Sequence, residues 1–460
     1  MMTISEIQST APLGLLASTI DGEIVTAEDP TWDIARLAWN LAVDQRPAAV
    51  AVPMSAADVA EVIRFASEHG LRVAAQGTGH HAYRLGDLGD TILVHTSALA
   101  TVDVDADARS VRVGSGAIWD QISSALITHG LAGLAGSAHD VGITGYTLGG
   151  GYSWLGREHG LCASSVTAIE LVTADGEFHR TDATSEPDLF WALRGGGGGF
   201  GVVTAIELEA FAVPDVHAGM MLFPLERAAE VLAVFSREAE TLDERATLCA
   251  RLLHLPPMPD LPEFLRGKSL AAIDGAVNAP DDEAAAILAP FAELGPFMNT
   301  FARIPAAALS QIHLDPPGPV PGMADGVNLD SLPAGAIEAM LDSAGPGVQT
   351  PLLVLDIRML GGAFGRPDPR GGAVNKLHGR FLVSAIGIAP TPQAVIACEE
   401  AARSLLEAIE PWRAAHDYSN FRETSAAPEQ FYPGDVLDCL RAVKATYDPA
   451  DIIRSCHPLN

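Results

Sequence analysis

The stretch that decides the fold is GSAHDVGITGYTLGGGYS, residues 136–153. Two further glycine clusters lie on either side of it, GTGHH at residues 77–81 and RGGGGGFGVVT at residues 194–204. Glycine has no Cβ and adopts positive φ at little cost, so such segments let backbone N–H groups wrap a polyanion such as a pyrophosphate. A single glycine cluster is more often a set of tight turns. Three in the first half of one chain predict a nucleotide cofactor.

The segments around these clusters alternate between helical and strand patterns. Ser55 precedes Asp58 by three residues and opens an apolar helical face that continues to Ala66, which predicts a capped helix. The short apolar runs 71–75 and 91–95 predict strands on either side of the first cluster. The sequence also predicts a helix over 117–129 and strands over 168–173 and 201–208.

The pattern changes near residue 213, where glycine becomes less frequent. Helical patterns at 228–239, 281–294 and 392–407 alternate there with strand-like runs at 352–359 and 380–388, and a last helix is predicted over 435–446. The Pro/Gly-rich stretches 256–262, 316–321 and 366–372 are typical of surface loops. The chain is therefore predicted to form a second domain after residue 212.

Composition excludes several classes of partner. The chain has 28 Lys and Arg against 58 Asp and Glu, a formal charge of −30, which disfavours nucleic acids and anionic membranes. Its five scattered cysteines form no CxxC pair, so neither a disulfide framework nor a metal site is predicted. No apolar run is long enough to span a membrane, and residues 1–17 lack signal-peptide features, so a cytoplasmic location is expected. No pattern specifies an oligomeric state.

Two nucleotide-binding motifs are missing from the glycine clusters. No GxGxxG follows a strand and opens a helix with an acidic residue about 20 positions later, as a Rossmann fold requires. The phosphate-loop ending Gly-Lys-Ser/Thr is also absent. A nicotinamide dehydrogenase of the Rossmann type and an ATPase are therefore disfavoured.

Further motifs give the chain a family resemblance. They are the entry residues at 47–53, VTADG at 172–176, PDLFWAL at 187–193, YSNF at 418–421 and KATYDP at 444–449. With the glycine clusters, they make the chain resemble the FAD-linked oxidases related to berberine bridge enzyme and 6-hydroxy-D-nicotine oxidase. The resemblance covers almost the whole chain. Each motif is weak alone, and together they are specific.

The resemblance implies an α+β fold with a cofactor domain of the PCMH or vanillyl-alcohol oxidase type. It assigns residues 1–212 to this FAD-binding domain. Residues 213–416 become a substrate-binding domain with an antiparallel sheet backed by helices. Residues 417–460 form a C-terminal segment that returns to the FAD-binding domain.

The resemblance also implies that FAD is bonded covalently to His80, which closes the first glycine cluster. Many relatives carry a second, cysteinyl tether at the position of Ala138, so a single link is expected here. Val141 stands where relatives control the access of oxygen to the flavin. The other residues implied in cofactor binding are Gly77, Thr78, Gly79, His81, Ala82, Ser97, Ser137, Asp140, Gly142, Thr144, Gly145, Gly150, Gly151, Gly201, Val202, Val203 and Asn420.

For catalysis the resemblance points to Tyr418 and Tyr152, one of which takes a proton from the substrate. An ordinary tyrosine, with a pKa of about 10, is a poor base at neutral pH, so its phenolate requires nearby donors. The implied reaction is oxidation of a small, natural-product-like alcohol, amine or phenol with O2 as acceptor, in secondary metabolism. A flavin-dependent monooxygenase, a dehydrogenase and a redox-silent flavin-binding scaffold remain alternatives.

Overall fold

The computed structural model describes residues 13–257, 263 and 265–459. Part of the N-terminal stretch assessed for a signal peptide, and most of the predicted loop at 256–262, lie outside these residues. The 3₁₀ turns are left unnumbered here. The strands are β1 (Glu23–Val25), β2 (Ala49–Val52), β3 (Arg72–Gln76), β4 (Thr91–His95), β5 (Val102–Asp105), β6 (Ser110–Gly114), β7 (Val166–Val172), β8 (Phe178–Asp182), β9 (Val202–Glu209), β10 (Asp215–Pro224), β11 (Ala246–His254), β12 (Ser269–Val277), β13 (Met298–Asn299), β14 (Ala302–Pro305), β15 (Gly322–Leu329), β16 (Leu352–Met359), β17 (Phe381–Ile388) and β18 (Ile453–Arg454).

Short and long helices alternate with these strands. They are α1 (Leu13–Leu16), α2 (Trp32–Ala35), α3 (Ala56–Glu68), α4 (Trp119–Ile127), α5 (Ile143–Leu148), α6 (Gly156–His159), α7 (Pro187–Leu193), α8 (Ala228–Ala239), α9 (Asp281–Ala292), α10 (Ala334–Ala344), α11 (Pro392–Ala408) and α12 (Gly434–Tyr447).

Two sheets form the first half of the molecule within the described residues. One has the order β1-β2-β4-β3-β18, and its central pairs β2–β4 and β3–β4 are parallel. The other, in the order β5-β6-β9-β7-β8, is antiparallel throughout. Helix α3 and the parallel strands share an apolar core with Val172 and Val202 of the second sheet. This shared core holds the loop after β3 beside the loops of the second sheet.

The second half is built on one large antiparallel sheet of strands β10 to β17. One face carries the apolar side chains that pack against α8, α9, α10 and α11. Because side chains alternate along a strand, the opposite face carries the other half of each strand. That opposite face is directed toward the first half of the molecule.

Most predicted elements are confirmed, with ends shifted by one or two residues. Helices α8 and α3 lie where the sequence predicts them, and the Ser55 side chain caps α3 by accepting a hydrogen bond from the Asp58 N–H at 3.2 Å. Helix α4 begins two residues later than predicted, at Trp119. The strands that the sequence analysis missed include β11, β12 and β15, as well as β8, whose alternation is polar and exposed, and β10, which contains a glycine.

The predicted α+β architecture, with an antiparallel sheet backed by helices, is confirmed. The chain also returns to its first sheet, because β18 pairs in parallel with β3 through Ile453 opposite Val73. The strands of the large sheet extend from Asp215 to Ile388, and the division at residues 212 and 416 stays a proposal.

A buried arginine joins the two halves. The Arg157 guanidinium, on α6, donates hydrogen bonds to the carbonyl oxygens of Ala246, Leu242 and Leu360. Gly156 beside it lies so close to the Phe364 ring that an added Cβ would come within 1.9 Å of it. The first half therefore packs tightly against the face of the large sheet that lies opposite helices α8 to α11.

Candidate active site

The histidine loop, residues 77–81 between β3 and the turn that follows, forms the centre of the candidate site. Nδ1 of His80 lies 2.7 Å from the Thr78 hydroxyl. The imidazole stacks on the indole of Trp39, with ring centres 4.0 Å apart and an angle of 16° between the planes. Gly79 has φ +83°, and an added Cβ would lie 2.9 Å from Ala38. Only glycine allows the loop to lie this close to the Trp39 segment.

Asp140, from the second glycine cluster, completes the surroundings of the imidazole. Its Oδ1 lies 3.5 Å from Nε2 of His80, and its Oδ2 accepts a hydrogen bond from the Trp39 indole N–H at 2.5 Å. Burial disfavours the charged carboxylate, yet His80 and Trp39 together keep the pKa of Asp140 below its ordinary value. Asp140 is therefore a carboxylate at neutral pH. Sequence analysis missed Trp39, which follows no recognised periodic pattern.

The glycines of the histidine loop face the turn that begins α5. The side chain of Thr78 lies 3.5 Å from the position a Cβ would take on Gly142. The Thr144 hydroxyl donates to the Ser115 carbonyl at 3.0 Å. Around Gly145 no heavy atom lies within 4 Å of such a Cβ. The two segments thus form opposite sides of a cradle with open space on the α5 side.

Two buried hydroxyl groups near this cradle have no protein partner among the described residues. They are Ser115 Oγ and Thr204 Oγ1, and the Ser115 N–H donates to the Thr204 carbonyl at 3.0 Å. Buried polar groups are normally hydrogen-bonded, so these two hydroxyls and the free atoms at His80 and Asp140 fit a polar ligand. The residues present therefore suit a pyrophosphate-containing cofactor. Neither Ser115 nor Thr204 was predicted from sequence.

The glycine triplet at 149–151 contacts the YSNF segment. The Gly151 N–H donates to the Tyr418 hydroxyl, and the Gly150 N–H donates to the Thr147 carbonyl. A Cβ on Gly149 would lie 1.8 Å from Asn420 Oδ1. The triplet therefore leaves space for the YSNF segment, and cofactor binding at Gly150 and Gly151 stays a prediction.

The remaining predicted cofactor residues divide between exposed and buried positions. Ser97 is exposed, with its hydroxyl 3.0 Å from His95, whereas Ala82 is buried in a 3₁₀ turn. Val202 and Val203 pair with β7, and their side chains belong to two apolar cores. A Cβ on Gly201 would lie 2.6 Å from the Val172 carbonyl oxygen. Sheet packing therefore accounts for the residue types at Gly201, Val202 and Val203, and only the backbone of these three residues can face a cofactor.

Tyr418 presents its hydroxyl to two N–H donors. The oxygen accepts from the Gly151 N–H at 2.7 Å and from the Asn420 side-chain amide at 2.9 Å. Burial raises the pKa of Tyr418 above its ordinary value, and these two donors act against that rise. Among the residues that the structure describes, the Tyr418 O–H proton has no acceptor. The hydroxyl can therefore exchange a proton with a bound substrate.

Tyr152 has the opposite surroundings. Its hydroxyl donates to the Met359 carbonyl at 3.1 Å, its ring stacks on Phe364 at 4.8 Å, and burial raises its pKa well above the ordinary value. A proton held by a backbone carbonyl in the interior is poorly placed for exchange with substrate. The geometry therefore favours Tyr418 over Tyr152 as the proton-transferring tyrosine.

His81 is held by the C-terminal segment. Its Nε2 lies 3.0 Å from the Arg422 carbonyl, and its ring meets His457 edge to face at 5.2 Å. The backbone carbonyl of His81 accepts from Cys456. These contacts hold the His81 ring against the C-terminal segment, whereas the neighbouring His80 ring contacts Trp39.

The cysteine nearest the second cluster is not a tether. Cys162 is completely buried behind Gly151, and burial raises the pKa of its thiol to about 12. A thiol in this state is unreactive. Ala138, where relatives carry the second link, offers no sulfur.

A group of charged residues lies on the face of the large sheet that is turned toward the first half. This charge cluster was not predicted from sequence. Its members are Cys249, Arg251, Asp274, His313, Asp356 and Arg358, and all are buried.

The members of the charge cluster are paired with one another. Arg251 contacts Asp274 at 2.7 Å, and Arg358 contacts Asp356 at 2.7 Å. His313 Nδ1 lies 2.7 Å from the same Asp274 carboxylate, which ties the two pairs together. Although burial disfavours ionised Asp356, Arg358 holds the pKa of this carboxyl far below its ordinary value.

Arg358 links this cluster to the candidate site. Its Nη2 donates to the Ser137 hydroxyl at 3.3 Å, in the segment that carries Asp140. The guanidinium lies 5.4 Å from the Tyr152 ring centre and 5.0 Å from that of Phe421. Predicted residue Ser137 is therefore a contact between the sheet and the glycine-rich segment.

Comparison with known proteins agrees with this geometry. Residues 47–182 match the model of the FAD binding domain. The chain contains an FAD binding domain. Besides that domain, the chain has the fold of BBE-like 1 from Physcomitrella patens, with a TM-score of 0.82 at 18% identity over 100% of both chains.

Two curated relatives extend the comparison. Glucooligosaccharide oxidase of Sarocladium strictum is 32% identical over 215 residues, which are 46% of this chain and 43% of that protein. (R)-6-hydroxynicotine oxidase of Paenarthrobacter nicotinovorans is 30% identical over 230 residues, 50% of each protein. The matches span about half the length of these relatives. The predicted resemblance to FAD-linked oxidases is confirmed by these relatives, and the fold is that of the BBE-like protein.

Two searches of the described residues gave negative results. Residues 13–257, 263 and 265–459 hold no group of three or more His, Cys, Asp or Glu side chains arranged to bind a metal ion. Over the same part of the chain, every helix is too short or too polar to cross a membrane.

Proposed function

We propose that the protein is an FAD-dependent oxidase that carries its cofactor covalently on His80 and oxidises a small, natural-product-like alcohol, amine or phenol with O2. The observation that carries this proposal is the histidine loop. His80 is fixed between Trp39 and Asp140 at the edge of a glycine cradle whose buried polar atoms suit a pyrophosphate cofactor. FAD, when bound, supplies the two-electron acceptor.

The residues around the bound cofactor would have separate roles in binding the pyrophosphate and in positioning the flavin ring. Gly77, Thr78 and Gly142 would leave space for the pyrophosphate, with Ser115 and Thr204 as additional donors. His80 would hold the flavin ring in one position. A fixed position matters because hydride transfer requires reacting atoms to meet at about 3 to 3.5 Å.

Tyr418 is the proposed proton acceptor of the substrate oxidation. Its oxygen sits between the Gly151 N–H and the Asn420 amide, and both donors stabilise a phenolate. A substrate hydroxyl or amine bound beside this oxygen can exchange its proton there as its electrons leave. The substrate would lie between Tyr418 and the contact that the Arg358 guanidinium makes with the Phe421 ring.

The side chain of Val141 bears on whether O2 is the electron acceptor. Val141 is only partly buried and packs against the main core of the first half. A β-branched side chain of this size would leave a route for O2 to a bound flavin, which supports an oxidase over a dehydrogenase.

Attachment of the cofactor can be tested without knowing the substrate. We expect the purified protein to be yellow and to keep its colour on the precipitated chain after denaturation in acid. His80→Ala should release all of its flavin under the same treatment, and His81→Ala should keep it. Colourless wild-type protein that takes up no FAD would contradict the whole proposal.

The reaction can be tested on a panel of alcohols, amines and phenols. We expect one or more to bleach the flavin under nitrogen and to yield hydrogen peroxide in equal amount to O2 consumed. Reduction followed by slow reoxidation in air would identify a dehydrogenase, and ¹⁸O from labelled O2 in the organic product would identify a monooxygenase.

A further inference from the structure

The surroundings of His80 contain a carboxylate whose role the proposed function leaves open. We propose that Asp140 promotes the attachment of FAD to His80 by orienting the imidazole and receiving its proton, with Trp39 holding the carboxylate in place. This inference rests on the proposed covalent link at His80. It assigns Asp140 to attachment of the cofactor and not to oxidation of the substrate.

The geometry around Asp140 is that of an incomplete hydrogen bond. Oδ1 of Asp140 and Nε2 of His80 lie 3.5 Å apart, and both are buried atoms without a hydrogen-bond partner among the residues that the structure describes. The other carboxylate oxygen is fixed by the Trp39 indole N–H. The side chains of His80 and Asp140 are 24% and 15% exposed. A small movement of the imidazole would therefore complete a bond that no other group supplies.

The charge of Asp140 selects one tautomer of His80. A lone pair on Nε2 would face the carboxylate oxygens and be repelled, whereas an N–H on Nε2 is attracted. The proton therefore belongs on Nε2, and the lone pair belongs on Nδ1. Nδ1 faces the Thr78 hydroxyl, which can donate to it in the resting protein. In this tautomer the nucleophilic nitrogen of the imidazole is directed away from Asp140.

The bond-forming step is balanced with O2 as the oxidant. In the bound cofactor, one C–H bond of the ring methyl group would break with loss of its proton to solvent, the Nδ1 lone pair would form a bond to that carbon, and the electron pair of the C–H bond would pass into the flavin ring. The imidazole becomes positively charged as the bond forms, and its Nε2 proton passes to Asp140 and then to solvent. The two electrons and two protons released are taken by O2, which yields hydrogen peroxide. Asp140 stabilises the cationic imidazole at the point where the charge develops.

The Trp39 segment fixes this arrangement. The backbone N–H of Trp39 donates to the Thr78 carbonyl at 2.8 Å, so the Trp39 backbone is joined to the same loop as His80. Stacking of the two rings restricts rotation of the imidazole. Trp39 is therefore a positioning residue for Asp140 and His80, and neither needs to touch the substrate.

The experiment follows attachment separately from binding. Full-length protein produced under riboflavin limitation is incubated with FAD in air, and two quantities are measured over time: total bound flavin, and flavin retained on the chain after acid precipitation. The variants are Asp140→Asn, which keeps the shape and removes the charge, and Asp140→Glu, which keeps the charge. The control is Asp175→Asn, an exposed turn carboxylate whose partner is the Thr173 hydroxyl at 2.6 Å.

We expect Asp140→Asn to bind FAD but to attach it at least tenfold more slowly than wild type, Asp140→Glu to recover part of the rate, and Asp175→Asn to match wild type. Equal attachment rates in wild type and Asp140→Asn would overturn the inference and leave the proposed function intact. Wild-type protein that binds FAD and releases all of it in acid would overturn the covalent link itself.

If Asp140→Asn fails to fold or to bind FAD, a second variant tests the role of Asp140 in FAD attachment. Trp39→Phe keeps the stacked ring and the carboxylate but removes the indole N–H. Attachment slowed several-fold with unchanged total FAD binding is expected. An unchanged attachment rate in Trp39→Phe would then overturn the inference.

Discussion

The histidine loop and the charge cluster are both buried polar regions, and they differ in how closely their ionisable groups are paired. In the histidine loop, Nε2 of His80 and Oδ1 of Asp140 lie 3.5 Å apart, and neither atom has a hydrogen-bond partner among the described residues. In the charge cluster, each arginine contacts a carboxylate at 2.7 Å, Arg358 with Asp356 and Arg251 with Asp274, although Arg251 Nε and Asp274 Oδ1 also lack a hydrogen-bond partner there. Close ion pairs form a rigid support, whereas an imidazole and a carboxylate held just beyond hydrogen-bond distance can still move toward each other. The predictions below test that difference.

The largest effect is expected when one partner in the charge cluster is removed. Arg358→Met leaves the buried Asp356 carboxylate without its counterion, and loss of one partner from a buried ion pair costs about 3 to 5 kcal/mol. We expect a loss of this size in the free energy of unfolding, measured in urea. The double variant Arg358→Met with Asp356→Leu should recover most of it. A loss below about 1 kcal/mol in the single variant would contradict the pairing described here.

The next effect separates the two tyrosines. Tyr418→Phe should lower kcat by about a hundredfold, because a positioned acid or base contributes about 10² to 10⁴ in rate. Tyr152→Phe removes only the hydrogen bond to the Met359 carbonyl, so a stability loss of about 1 kcal/mol and a nearly unchanged kcat are expected. Steady-state assays with a substrate found in the panel measure both. The reverse ranking would move the proton transfer to Tyr152.

A smaller effect tests the glycine triplet. In Gly149→Ala the added Cβ meets Asn420 Oδ1 and displaces the amide that donates to Tyr418. We expect a loss of about 2 kcal/mol in unfolding free energy, typical of overpacking, and a lower kcat. The matched control is Gly145→Ala, whose Cβ meets no heavy atom within 4 Å and which should lose no stability. If Gly145→Ala weakens FAD retention instead, the open space there belongs to the cofactor.

The smallest effect concerns pH. Burial raises the pKa of Glu423 from 4.5 to about 8, and its Oε2 accepts from the Ala324 N–H. Because its pKa in the folded state is higher, Glu423 stabilises the fold fully below pH 4.5, and this contribution is lost as the pH rises toward 8. Wild type should lose about 1 kcal/mol more than Glu423→Gln between pH 5 and 8, measured by Tm and unfolding. The control is Glu429→Gln on the surface. Parallel pH curves for wild type and Glu423→Gln would contradict the shift.

The sequence predicted what depends on local pattern. Helix α3 and its Ser55 cap follow from spacing, and Leu355, Ile357 and Met359 of β16 follow from alternation. The glycine clusters predicted a cofactor because their composition alone allows close backbone approach. They could not show which clusters face a ligand, since the contact of Gly149 with Asn420 joins residues far apart in the chain.

The charge cluster was missed, although its sequence contains a signal. In the run LLVLDIRM, Asp356 and Arg358 occupy the alternate positions of an otherwise apolar strand. A charge at an inward position of a buried strand indicates a partner in the interior. Its identity could not be read from sequence, because His313 lies on a loop and its position depends on how the sheet closes. Trp39 was missed for the same reason, since its role depends on the distant Asp140.

The pairing of β18 with β3 has a consequence for biosynthesis. The sheet that ends in the histidine loop keeps an open edge on β3 until Ile453 and Arg454 leave the ribosome. An open strand edge invites pairing with other chains. Chains that stop before residue 453 should therefore be prone to mispairing at this edge. The sheet that carries the histidine loop is completed by residues translated about 380 positions after β3.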